Sequence, residues 1–242
     1  MLTPDPRDRL IVALDFPDSE NALIMVQKLG GTVTTYKVGK QLFTAAGPEL
    51  VRKLVSGKYQ VFLDLKFHDI PNTVGAAVRS AAALGVSMLT VHASGGAKML
   101  RAAVEAAAST SRPPLILAVT VLTSLNDGDL AEIGMRGQVR EQVLRLAALA
   151  RNAGCGGVVA SAQEAKELRQ ELGRGFAIVT PGVRLAGEDQ GDQARVVTPA
   201  QAMAAGASHI VVGRPITNAV APAEAAEAIL REIRSSGDRN IG

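Results

Sequence analysis

Asp64, Lys66 and Asp69 bring three charged groups into a span of six residues, at the end of an apolar stretch that starts Val61-Phe62-Leu63 and breaks at Pro71. The first half of that stretch alternates as a strand does, so Asp64 and Lys66, two apart, are expected on one face. Lys66 and Asp69 straddle the strand end, where the chain turns. Charge at the mouth of a buried strand is costly unless it is paired or used. The plain reading is a salt bridge closing the strand. The reading favoured by the rest of the chain is a catalytic array.

The elements that must position these groups follow one another regularly. Short apolar runs at residues 9–15, 33–38, 59–66, 87–92, 115–121, 157–160, 176–180 and 208–212 read as buried parallel strands. Between them, helices are expected at 18–29, 41–55, 71–84, 96–108, 137–152, 163–172, a short stretch after Thr198, and 218–234. Asn126-Asp127-Gly128 reads as loop, and the tail 235–242 as frayed. Eight strand–helix alternations without a linker predict an α/β fold, a (β/α)8 TIM barrel forming one domain over residues 1–242. An open doubly wound sheet would want a glycine-rich turn after its first strand, where Phe16-Pro17-Asp18 stands instead.

In such a barrel chemistry belongs at the C-terminal strand ends. The residues expected there are Asp15, Lys37, Asp64 with Lys66, His92, residues 120–124, Pro181-Gly182 and Gly213-Arg214. Gly213-Arg214 follows Ile210-Val211-Val212 directly, a backbone opening plus a guanidinium suited to an anion such as phosphate. Residues 181–197 are long for a strand–helix connection, and their glycines and Gln193 suggest a lid. His68, His92 and His209 have no metal-ligand spacing, so no metal is expected.

Composition bounds the rest. The chain has 242 residues, 47% hydrophobic and 3% aromatic with no Trp, and a net charge of +3. Dispersed charge and scarce aromatics disfavour nucleic-acid binding. The single Cys155 excludes an internal disulfide and fits a reducing cytoplasm. The N-terminus lacks an apolar signal core, and no apolar run approaches the ~18 residues that span a bilayer.

The motif Asp64-x-Lys66-x-x-Asp69-Ile70-Pro71-Asn72-Thr73 resembles the signature of the orotidine 5′-phosphate decarboxylases. Further blocks match in the family's order: residues 13–15, Tyr36-Lys37-Val38-Gly39, residues 119–124, Thr180-Pro181-Gly182-Val183-Arg184, Gly191-Asp192-Gln193 and residues 211–217. The resemblance implies conversion of orotidine 5′-monophosphate to UMP and CO₂, the last step of pyrimidine synthesis, without metal or cofactor. It implies Lys66 as proton donor to C6, with Asp64, Asp69 and Lys37 completing the charge array. Asp15 and Lys37 would hold the ribose, Thr123 the pyrimidine edge, and Gln193, Arg184, Gly213 and Arg214 the phosphate. It also implies a homodimer in which Asp69 and Thr73 reach the neighbouring subunit's site. Two rivals stay open: a metal-dependent sugar-phosphate enzyme sharing the Asp-x-Lys-x-x-Asp core, and a non-catalytic nucleotide binder on the same barrel.

Overall fold

The structure, a computed structural model, describes residues 5–184 and 197–237. Eight parallel strands close into a barrel in sequence order. They are β1 (Leu10–Ala13), β2 (Thr35–Gly39), β3 (Gln60–Phe67), β4 (Met88–His92), β5 (Leu115–Val119), β6 (Gly157–Val159), β7 (Ala177–Thr180) and β8 (His209–Val212). The strands are largely apolar where both faces are covered: all four residues of β1 are buried.

Two apolar layers result. Ile11, Ala13, Phe62, Met88, Leu117, Val179 and Val211 form a small cluster of their own, apart from the large one that joins strands to helices. These residues alternate along their strands with members of the larger cluster, as the inner and outer faces of a barrel require. The inner layer tolerates little bulk. A methyl group on Gly157 would stand 2.5 Å from the Ala177 carbonyl oxygen and 2.8 Å from Leu117 Cδ2.

Eight of the helices matter for the site and its frame. In chain order these are α1 (Ser19–Leu29), α2 (Lys40–Ser56), α3 (Pro71–Ala82), α4 (Gly96–Ala108), α5 (Asp127–Glu132), α6 (Val139–Asn152), α7 (Ala162–Leu172) and α8 (Pro199–Ala204). Short polar side chains start several of them. Asp18 accepts from the Asn21 N–H, Ser161 from Gln163 and Thr198 from Gln201, each satisfying a donor that the first turn leaves open.

Four local expectations are corrected. The helix expected at 41–55 runs Lys40–Ser56 and is kinked at Gly47, which takes φ 65° ahead of Pro48. Asn126-Asp127-Gly128 opens α5 rather than a loop: Asn126 and Asp129 cap one another reciprocally. The helix expected from 218 is preceded by a short separate one, α9 (Arg214–Thr217), and starts at Pro222 as α10 (Pro222–Gly237). Ser235 to Gly237, expected to fray, belong to α10, and residues 238–242 lie outside the described residues. No helix among the described residues is long and apolar enough to cross a membrane.

Two histidines are expected to make the fold acid-sensitive. Burial, with the Arg9 cation second, pushes His209 down to about 4 from the ordinary 6.5, and its Nδ1 has no partner among the described residues. Burial also lowers His92 to about 4, followed by the charges of His68, Lys40 and Lys66, with Asp64 opposing. Both groups bind a proton more weakly folded than unfolded. Their contribution is therefore complete above pH 6.5 and is lost as pH falls from there through about 4. Urea denaturation is expected to show lower stability at pH 5 than at pH 7, by on the order of 1–3 kcal/mol, with a shallower loss in His209→Gln. A pH-independent midpoint would contradict this.

Candidate active site

The array at the end of β3 is assembled around Asp64. Its carboxylate accepts two hydrogen bonds from Lys66 Nζ, at 2.9 Å and 2.8 Å, and Lys37 Nζ lies 3.8 Å from Oδ2. Lys37 also donates to Asp15 Oδ1 at 3.0 Å. The chain of charge is thus Asp15–Lys37–Asp64–Lys66, contributed by the ends of β1, β2 and β3. Only 12% of the Asp64 side chain is exposed and 13% of Lys37, against 60% of Asp15. The inner pairs are therefore poorly screened, whereas Asp15 faces solvent. Gly39 leaves the room this needs, since a methyl group there would sit 3.0 Å from Lys37 Nζ.

Simple alternation along β3 does not produce this geometry. The pairing of β3 with β4 is irregular between Leu63 and Phe67, and Lys66 takes a left-handed φ of 52°. Such a conformation is costly for a side chain that is neither Gly nor Asn, and such residues cluster at functional sites. The bend nevertheless returns the Lys66 ammonium to Asp64. Thr90, on β4, braces it: its hydroxyl donates to Asp64 Oδ1 and accepts from the Lys66 N–H, both at 2.9 Å.

A cavity of about 590 Å³ opens above the barrel, and most of the expected site residues line it: Asp15, Lys37, Asp64, Lys66, Thr123 and Arg184, together with Gly213 and Arg214. At the β8 side, the Gly213 carbonyl accepts from the N–H groups of Ile216 and Thr217, so Gly213 begins α9 with Arg214 as its first residue. Thr217 and Asn218 also line the cavity and were not singled out in the sequence. Their signal was the glycine-to-helix junction itself, which places the next turn at the rim. Arg184 is buried, and its Nη1 donates to the Val183 carbonyl at 3.2 Å.

Two expected residues stand elsewhere on this chain. The Asp69 carboxylate accepts from the Ile70 N–H at 2.6 Å, and both Asp69 and Thr73 are exposed, outside the cavity lining. Ile70 between them is 66% exposed, an unusual setting for a large apolar side chain. Gln193 lies outside the described residues. The base of its segment is described: Val183 and Val197 form a parallel bridge, with the Arg184 N–H on the Val197 carbonyl at 3.0 Å. The His92 ring packs against that of His68 with centroids 5.3 Å apart. Among the described residues, no group of three or more His, Cys, Asp or Glu is placed to hold a metal ion.

Fold and site together define a (β/α)8-barrel enzyme whose cavity is organised by alternating lysines and aspartates at the C-terminal strand ends. The family model described as "Orotidine 5'-phosphate decarboxylase / HUMPS family" matches residues 8–229. The chain belongs to that family. It is 53% identical over 233 residues to an orotidine 5′-phosphate decarboxylase of Hydrogenovibrio crunogenus, covering 96% of each chain. It is 54% identical over 237 residues to one of Halorhodospira halophila, covering 98% of this chain and all of that one. The crystal structure of orotidine 5′-phosphate decarboxylase from Lactobacillus acidophilus superposes with a TM-score of 0.84 at 42% identity, covering 93% of this chain and 98% of that one.

Proposed function

We propose that this protein converts orotidine 5′-monophosphate to UMP and CO₂, the last step of de novo pyrimidine nucleotide synthesis, in the cytoplasm and without metal or cofactor. The observation that carries the reading is the Asp64 carboxylate held by the ammonium groups of Lys66 and Lys37 in a cavity that also contains Gly213 and Arg214. The names of relatives about half identical over nearly their full length support it.

Loss of CO₂ leaves a carbanion at C6 of the pyrimidine, and a reaction run without a cofactor has no cofactor electron sink to delocalise it. The Lys66 ammonium stabilises that developing charge electrostatically and then delivers its proton to C6. Asp64 and Lys37 fix the ammonium before substrate arrives, so little reorganisation accompanies the reaction. A carboxylate facing the substrate carboxylate adds repulsion of about 4 kcal/mol at 4 Å with an effective dielectric near 20. Departure of CO₂ relieves it. Asp15 and Lys37 hold the ribose hydroxyls and Thr123 the pyrimidine edge. Gly213, Arg214, Arg184 and Gln193 take the phosphate. A slow uncatalysed reaction calls for roughly 20 kcal/mol of barrier lowering, so this remote grip contributes as much to the account as the lysine.

Asp69 and Thr73 act in the site of a second copy in a homodimer. Their exposure beside Ile70, outside their own chain's cavity, supports that reading.

The deciding experiment follows orotidine 5′-monophosphate by ultraviolet absorbance with and without EDTA. Turnover at equal rates in both is expected. Turnover abolished by EDTA, or seen only with sugar phosphates and Mg²⁺, would favour the metal-dependent sugar-phosphate alternative. UMP binding without turnover would favour the non-catalytic nucleotide binder.

A further inference from the structure

The third strand is paired with β4 at Leu63↔Leu89 and again at Phe67↔Val91. Four steps along β3 thus face two along β4, so that Asp64, Leu65 and Lys66 stand opposite Thr90 alone. A bulge of this kind strips the strand of ladder partners. The Lys66 N–H, turned by the left-handed φ, finds its acceptor in a side chain instead, Thr90 Oγ1 at 2.9 Å.

Thr90 is fully buried on the strand face it shares with Met88 of the inner barrel layer, while Leu89 and Val91 belong to the outer cluster. An apolar residue would satisfy the packing there. The hydroxyl instead closes a ring: Lys66 N–H to Thr90 Oγ1, Thr90 O–H to Asp64 Oδ1, and Lys66 Nζ back to the same carboxylate. One hydroxyl accepts and donates at once, which valine, of the same shape, cannot do.

We infer that Thr90 is a positioning residue for the reaction, its hydroxyl fixing both the strained Lys66 backbone and the Asp64 carboxylate so that the ammonium is aimed before substrate binds. The inference rests on the decarboxylase reading above. Without the hydroxyl, the partly buried Lys66 N–H and one lone pair of the buried Asp64 carboxylate lose their partners, and the bulge can relax away from the left-handed conformation. The ribose and phosphate contacts do not pass through Thr90, so the loss falls on kcat rather than on binding.

The test is steady-state turnover of orotidine 5′-monophosphate by wild type, Thr90→Val and Thr90→Ser, with UMP affinity by calorimetry and thermal unfolding of each. Thr90→Val is expected to lower kcat roughly ten- to hundredfold, with KM and UMP affinity within about threefold of wild type. Thr90→Ser, which keeps the hydroxyl, is expected to stay within about threefold of wild type in kcat. Wild-type kcat in Thr90→Val overturns the inference. So does an equal loss in the serine variant, which would assign the effect to the methyl group and packing. Should Thr90→Val not fold, Thr90→Ala takes its place against the same serine control. If wild type itself shows no turnover, the decarboxylase reading has failed separately. Crystal structures of wild type and Thr90→Val then decide the positioning: an unchanged Lys66 φ and Lys66–Asp64 contact overturn it, and a shifted backbone at Lys66 upholds it.

Discussion

Lys66→Ala is expected to lose turnover of orotidine 5′-monophosphate by roughly 10⁴-fold, the scale of removing a positioned acid together with the charge that stabilises the carbanion. UMP affinity is expected to change by less than about tenfold, because the residues proposed to hold phosphate and ribose lie at other strand ends. The substitution is a fair test on structural grounds. Alanine at φ 52° carries a backbone cost similar to that of lysine, so the bulge gains no new strain. Asp64 keeps the Thr90 hydrogen bond and the Lys37 ammonium at 3.8 Å, so its carboxylate is not left without a partner. Stopped-flow absorbance for chemistry and calorimetry for UMP separate the two effects. Turnover near that of wild type would take the proton donor's role from Lys66.

The second large effect is a gain. Lys66→Ala and Asp69→Ala chains, each inactive alone, are expected to recover activity when mixed under conditions of subunit exchange. If Asp69 serves the partner's site, a mixed dimer holds one intact site and one doubly defective site. Random pairing makes half the dimers mixed, so roughly a quarter of the wild-type activity returns. Asp69 lies outside the cavity of its own chain, capping the Ile70 N–H at 2.6 Å, and that is why complementation is expected. Native mass spectrometry verifies exchange. Confirmed exchange with no recovered activity would place Asp69 outside the shared site.

Much of this molecule is legible in its residues, because a parallel barrel strand is apolar on both faces and its chemistry sits where the run ends. Asp15, Lys37, Asp64 and Lys66 were readable in that way, and the structure brings them together. What strand periodicity cannot report is a register shift. The alternation argument placed Asp64 and Lys66 on one face, yet their contact runs through a bulge and a left-handed lysine. Thr90 was illegible for a related reason: a threonine in a strand reads as an ordinary β former until its hydroxyl partners are seen. The α5 helix was missed because Asn-Asp-Gly scores as a turn. The acid at position 129, three residues after Asn126, was the capping signal that outweighs it.

On the role proposed for Lys66, its left-handed backbone sets stability and activity at odds. Glycine would occupy that conformation with less strain than lysine, by about 1 kcal/mol, and would abolish the ammonium. Selection for a sturdier barrel alone would therefore drift toward an inert protein at this position. Lysine sits there against the preference of its own backbone, as a residue kept for its ammonium would.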